Sequence, residues 1–134
     1  MKIQFDAGGT GQNFIHAYGP GQVTINQQAY RRSLLVTSGQ LITDWPPQSF
    51  GELLAQHFDQ IRELNPEVVV LGTGVRLHFP RTADTRALIQ ANIGLEVMDT
   101  GAACRAYNIL MAEDRRVVAA LFMIETLAAC LNSH

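Results

Sequence analysis

Two short segments of this chain place glycine, threonine and charged side chains where chemistry could occur. The first is Gly72-Thr73-Gly74, after the apolar run "VVVL", and the second is Asp99-Thr100-Gly101, after "LEVM". Arginine side chains follow both segments closely. Ten residues from these segments and the positions just after them are candidates for binding a ligand or a partner: Gly72, Thr73, Gly74, Arg76, Asp99, Thr100, Gly101, Cys104, Arg105 and Asn108.

The first chemistry that these residues suggest is the binding of a small anion. Ligands of open parallel sheets bind beyond the carboxyl ends of the strands, and two loops at that edge face each other if their strands lie close together. Arg76 and Arg105 would then meet the N-terminus of the helix that Asp99 begins. Guanidinium groups and a helix N-terminus together favour a nucleotide phosphate or a carboxylate. The sequence therefore predicts a crevice between the two segments.

The glycines of the first segment also have a simpler explanation. Leu77 stands where a dinucleotide-binding fingerprint has its third glycine, and the segment lacks the lysine of a Walker loop. Glycine also lets a chain leave a buried strand without steric cost. A structural turn is the favoured interpretation of Gly72–Gly74, and contact with a ligand is the alternative.

Cys104 is a candidate nucleophile. It would lie in the first turn of the helix after Asp99, where the helix dipole lowers the pKa of a thiol and favours the thiolate. A nucleophilic thiol needs a base, and His78 could approach from the facing loop. Cysteine is also among the most buried residue types, so we expect a small core side chain rather than a nucleophile. We predict no catalytic residue.

Composition argues against several classes of function. The net charge of -2 gives no positive field that would attract nucleic acid. The two cysteines, Cys104 and Cys130, cannot build a disulfide framework, and no cysteine or histidine cluster has the spacing of zinc ligands. We therefore expect no nucleic-acid partner, no metal and no cofactor.

The N-terminal sequence and the hydropathy predict a cytoplasmic protein. "MKIQFDAGGTGQNF" has one positive charge and no long apolar core, so it is unlike a secretory signal peptide. No apolar run reaches the roughly 18 residues of a membrane span. We expect no transmembrane segment.

The element pattern changes near Trp45. Before it, β-branched and aromatic residues alternate with the turn sequences Gly19-Pro20-Gly21 and Ser38-Gly39, which predicts short, largely antiparallel strands. After it, the continuous apolar runs "EVVVLG", "LEVMD" and "RRVVAALF" predict strands buried on both faces.

Helices are predicted before, between and after these buried strands. Ser49 and Glu52 form a capping-box pattern, an Asn-Pro pair ends the first helix, and a glycine is expected to cap the second. The predicted helices run from Ser49 to Asn65, from Thr82 to Gly94 and from Asp99 to about Glu113, with a short fourth helix after Met123.

Alternating strands and helices indicate parallel pairing with right-handed crossovers. We predict one α/β domain over residues 1–134, with its core at about 14–122. Its three layers contain a mixed central sheet, and an antiparallel N-terminal β layer precedes βαβαβ-like units.

Two long motifs also resemble a known family. "LGTG" after a strand, followed about 25 residues later by "VMDTGAACRAYNILMAEDRRVVAAL", is similar to the Mth-type domain-of-unknown-function family, and "RRSLLVTSGQLITDW" resembles its N-terminal part. The motif positions that match the family are Gly72, Thr73, Gly74, Asp99, Thr100, Gly101, Ala103, Cys104, Arg105, Tyr107 and Asn108. Ala106 departs from the family, which has threonine there.

The resemblance implies a mixed-sheet α/β domain of three layers and no established catalytic mechanism. Some family members are mitochondrial assembly factors of respiratory complex I that act through protein contacts at the inner membrane, and another is the adipogenesis-associated Mth-domain protein. For this chain the resemblance implies a protein partner, and it adds the inner face of the membrane as an alternative to the open cytoplasm. The N-terminal sequence is unlike a transit peptide, which favours a bacterial member of the family over a mitochondrial precursor.

Three functions are therefore open. The first, which we favour, is a non-enzymatic interaction or assembly protein. The second is a module that binds a small anion in the crevice between Gly72–Gly74 and Asp99–Gly101. The third is a thiol-dependent enzyme that uses Cys104.

Overall fold

The computed structural model describes residues 12–125 and the backbone of the short strand at residues 3–4. Short strands are the regular elements described before Trp45, as the turn-rich sequence of that part predicts. The strands are β1 Ile3–Gln4, β2 Ile15–Gly19, β3 Gln22–Ile25, β4 Gln28–Tyr30, β5 Leu34–Val36, β6 Leu41–Ile42, β7 Val68–Thr73, β8 Gly94–Met98 and β9 Val117–Phe122. The helices are α1 Ala55–Arg62, α2 Arg86–Gln90 and α3 Thr100–Ala112.

The strands form two sheets. Strands β1 to β4 make an antiparallel sheet in chain order, and the second sheet has the order β6-β5-β9-β7-β8. In this second sheet β7 pairs in parallel with both β8 and β9, whereas β5 pairs antiparallel with β6 and β9. The predicted mixed central sheet with an antiparallel N-terminal layer is confirmed.

The central sheet buries apolar side chains on both faces. Along β7, Val68 and Val70 pack with α3 and the N-terminal sheet. Val69 and Leu71 pack on the other face with α1, α2 and the buried Trp45. Because successive residues of a strand point to opposite faces, an unbroken apolar run is needed to supply both clusters. This explains the continuous apolar sequence of β7.

Several predicted helix boundaries are wrong. The Ser49 region starts a 3-10 turn, Phe50–Glu52, and α1 begins only at Ala55. The second helix is a five-residue segment, and Asn92 rather than Gly94 takes the left-handed conformation after it, with φ 57°. Gly94 is instead the first residue of β8. The fourth helix predicted after Met123 lies mostly outside the described residues.

Helix α3 closely follows its sequence pattern. The Asp99 carboxylate accepts the N–H of Ala102 at 2.8 Å and caps the helix, as its extended backbone allows. Ala103 and Tyr107 of its inner face are fully buried and Met111 is nearly so. The helix is thus fixed beneath the sheet with its N-terminus at the carboxyl edge of β7.

Candidate functional site

The two glycine-bearing segments lie directly against each other. They share one edge of the sheet because β7 and β8 are adjacent and parallel. The N–H of Gly74 donates to Oγ1 of Thr100 at 2.8 Å, and the N–H of Thr100 donates to the carbonyl of Gly74 at 2.9 Å. The segments therefore contact each other through their own backbone and hydroxyl groups.

Thr100 joins α3 to the loop after β7 and to the end of β9. Its hydroxyl donates to the carbonyl of Phe122 at 2.6 Å while it accepts from Gly74, and the residue is fully buried. Gly72 permits this approach, since a Cβ at Gly72 would lie 3.0 Å from Thr100 atoms and from the Cβ of Ala103. Both hydrogen-bonding functions of the Thr100 hydroxyl are thus used within the chain.

Thr73 shapes the loop that follows β7. Its hydroxyl donates to the carbonyl of Arg76 at 2.6 Å and accepts the N–H of His78 at 3.2 Å. The carbonyl of Met98 lies 3.3 Å from the same oxygen. This hydroxyl therefore holds the loop as a compact bend instead of facing an open crevice.

A carboxylate of the chain itself lies against this bend. The N–H of Val75 donates to Oε2 of Glu125 at 3.0 Å. Gly74 has φ 98°, and a Cβ there would come within 2.7 Å of Oε1 of Glu125. Glycine at this position therefore serves both the backbone conformation and the approach of the carboxylate.

Cys104 is a core residue. Its side chain is 0% exposed, and burial raises the pKa of its thiol to about 12. The expectation that the helix dipole lowers this pKa is wrong, because the loss of hydration outweighs the favourable charge of Arg105. The arrangement supports packing and opposes a nucleophilic role.

The downstream arginines have different surroundings. Arg76 is exposed on the loop after β7. Arg105 is also exposed, but its Nη1 donates to the hydroxyl of Tyr18 from β2, and its guanidinium carbon lies 6.0 Å from the Tyr18 ring centroid. Gly101 accommodates that ring, since a Cβ there would lie 2.8 Å from Cε1 of Tyr18. Arg105 therefore helps to join α3 to the N-terminal sheet.

Asn108 also connects α3 with the N-terminal sheet. Its side-chain oxygen accepts the N–H of Ile15 at 3.0 Å, and its amide donates to the carbonyl of Ile15 at 2.8 Å. The residue is buried. Both contacts resemble strand pairing, so Asn108 has an evident structural role.

An exposed apolar loop, which we define as residues Val75–Pro80, was not predicted from the sequence. Val75, Leu77 and Phe79 are 50%, 51% and 70% exposed. The ring of His78 in the same loop stacks on Phe50, with centroids 5.1 Å apart and planes at 24°. The alternation of apolar and basic residues in "VRLHF" was the available signal, because an extended segment directs alternate side chains to opposite sides.

Residues 12–125 contain no group of three or more histidine, cysteine, aspartate or glutamate side chains that could hold a metal ion. Over the same range, no helix is both long and apolar enough to cross a membrane.

The comparison with known families decides the classification. Residues 15–122 match the model of a family described as a protein of unknown function (DUF498/DUF598). The chain belongs to this family. Its match covers the central sheet, α3 and most of the N-terminal sheet, which is the part of the chain that carried the sequence resemblance.

Three known proteins are similar to this chain. A Bordetella pertussis protein described as a Mth938-like domain is 31% identical, with a TM-score of 0.78 and 100% of each chain covered. The "13 kDa major membrane protein" of Francisella tularensis is 26% identical over 105 residues, which is 78% of this chain and 85% of that protein. The Bos taurus "NADH dehydrogenase (ubiquinone) 1 alpha subcomplex assembly factor 3" is 36% identical over 84 residues, or 61% of this chain. The match covers only 46% of the bovine protein, so this chain spans about half of its length.

Proposed function

We propose that this protein is a non-enzymatic assembly factor that binds a protein partner through the apolar loop, which the largely buried segments Gly72–Gly74 and Asp99–Gly101 hold in place. One observation carries the proposal, namely the exposure of Val75, Leu77 and Phe79 on a loop whose base is fixed by hydrogen bonds. Apolar side chains presented on a rigid base lose little conformational freedom when a partner covers them. They are therefore suited to protein contact.

The internal use of the polar groups supports a binding role over catalysis. The hydroxyls of Thr73 and Thr100 and the carboxylate of Asp99 bond to groups of the chain itself. Cys104 is buried and its pKa is raised. A nucleophile needs access and an activating base, and the surroundings of Cys104 provide no such access.

The name of the bovine relative suggests the partner. We propose that the protein acts on a subunit of respiratory complex I, in the cytoplasm or at the inner face of the membrane. To test this, the gene would be deleted in the native host and the amount of assembled complex I measured on native gels. Wild-type protein should restore the assembled complex, whereas Phe79→Asp should not.

Ile109→Asp is the matched control. Ile109 is 60% exposed on α3, so this change also places a charge on an exposed apolar position but lies outside the apolar loop. Capture of complex I subunits by wild-type and Ile109→Asp protein, with loss in Phe79→Asp, would agree with the proposal. Normal assembly in the deletion strain would contradict the role in complex I, and equal capture by all three proteins would contradict the role of the loop.

A small-anion module is the second candidate function. It is favoured by the Val75 N–H, which already donates to a carboxylate, that of Glu125, and by the adjacent exposed Arg76. Thermal unfolding with a panel of carboxylates and nucleotides tests it. If no compound stabilises the wild type more than an Arg76→Ala, Arg105→Ala variant, the loop is not an anion site.

A further inference from the structure

The outer edge of β8 has backbone groups that no described strand pairs with. The N–H of Gly94 donates to the carbonyl of Glu67 at 3.1 Å, and the N–H of Thr100 donates to that of Gly74, so both point toward β7. In a parallel strand, alternate residues direct their N–H and C=O groups to opposite sides. The backbone N–H and C=O groups of Glu96 therefore also face β7, whereas those of Leu95 and Val97 point away from the sheet.

Nothing in the described part of the chain pairs with this edge, because β8 is the last strand in the order β6-β5-β9-β7-β8. The side chains of Leu95 and Val97 are half-buried against the cluster that includes α1 and α2. Glu96 is exposed and, by the alternation of the strand, belongs to the opposite face. Edge strands are usually protected by lysine, proline or a bulge, and the five residues of β8 have only the one charge of Glu96.

The chemistry of the edge indicates its occupant. Two N–H and two C=O groups at strand spacing are complementary to another extended backbone, which is the basis of strand addition by peptides. A second copy of β8 fits poorly in the one antiparallel register that pairs both Leu95 and Val97 of each edge. In the antiparallel register that joins Leu95 to Val97 of the copy, Glu96 would face its own equivalent in a close, non-hydrogen-bonded pair, where like charges repel.

We propose that the edge of β8 binds an extended segment of a partner polypeptide that carries arginine or lysine opposite Glu96. This inference rests on the proposed function, since it assumes a protein partner, and it specifies how that partner is held. Met98, at the end of β8, lies beside Thr73, which shapes the base of the apolar loop. A single partner segment can therefore cover the edge and reach the loop.

A peptide experiment tests this inference without the natural partner. The probe is an acetylated and amidated peptide of about seven residues that alternates valine and arginine, and its control alternates valine and glutamate. Amide hydrogen exchange of the full chain would be followed by NMR with each peptide. The arginine peptide should slow exchange at Leu95 and Val97 by about threefold or more, while the amides of Gly94 and Glu96, which face β7, should not change.

The variant Glu96→Arg completes the design. It is an exposed change that keeps the fold, and it should reverse the preference so that the glutamate peptide gives the protection. Equal protection by both peptides, or protection confined to the apolar loop, would overturn the inference. So would unchanged exchange at Leu95 and Val97. These results do not depend on the complex I test, so failure of strand addition and failure of the proposed function can be distinguished.

Discussion

Thr100→Val is the sharpest test of how the two segments are joined. Valine has nearly the shape of threonine but leaves the buried N–H of Gly74 without its acceptor and removes the donor to the carbonyl of Phe122. An unsatisfied buried group costs about 1–3 kcal/mol, so the two losses together should lower the free energy of unfolding by roughly 2–4 kcal/mol. We expect an equally folded but clearly less stable protein.

Urea unfolding followed by the fluorescence of Trp45, the one tryptophan in the sequence, measures this loss. With an m-value of roughly 1.5 kcal/mol/M, a loss of about 3 kcal/mol lowers the midpoint by about 2 M. Thr100→Ser keeps the hydroxyl and should cost only about 1 kcal/mol for the lost methyl group. Thr43→Val, at an exposed position, should change stability by less than about 0.5 kcal/mol. If Thr100→Val were as stable as Thr100→Ser, the hydroxyl would not be what joins these elements.

Three further predictions concern single side chains. In a Cys130→Ser variant, Cys104 should resist alkylation at about pH 9 in the native protein and react after unfolding, because burial raises the pKa of its thiol to about 12. Rapid labelling of the native protein would contradict the burial of Cys104. Asp99→Ala should lower the free energy of unfolding by about 1 kcal/mol through loss of the α3 cap. Asp99→Asn, whose side chain can still accept a hydrogen bond, should lower it less. Equal losses of stability in the two variants would refute capping. Burial lowers the pKa of His57 below 6.5, so the unfolded chain binds a proton that the folded chain does not, and stability should fall as the pH drops through about 6.5 toward the folded pKa. Urea unfolding at several pH values should show a smaller acid loss for His57→Gln, and an identical pH dependence would exclude this cause.

The sequence predicted the fold where its pattern determines burial. The apolar runs of β7 and β9 had to be buried on both faces, and Asp99 was predicted to begin α3, where its carboxylate caps the helix. The boundaries of α1 and α2 were harder to predict from the sequence. Ser49 began a 3-10 turn, and Asn92 adopted the left-handed backbone that glycine was expected to take. Such local choices depend on tertiary packing that a capping pattern does not contain.

The proximity of the two glycine-bearing segments could be predicted from the sequence, but their individual contacts could not. Parallel strands share a carboxyl edge, so the proximity of Gly74 and Thr100 follows from topology. The contact between Arg105 and Tyr18 joins residues 87 apart in the sequence, and no local pattern indicates it. The direction of the Cys104 pKa shift was also inaccessible, because it depends on how completely the N-terminal sheet covers α3.

The position of β9 in the sheet has a consequence for biosynthesis. This strand is last among the described elements but lies at the centre of the five-stranded sheet, between β5 and β7. While the polypeptide is being synthesised, β5 and β7 lack their shared neighbour. Their hydrophobic side chains stay exposed until Val117–Phe122 has been made. Long-range pairing of this kind is slow and leaves strand edges open to aggregation. The nascent chain should therefore need protection, by a chaperone or by rapid release from the ribosome, until β9 has emerged.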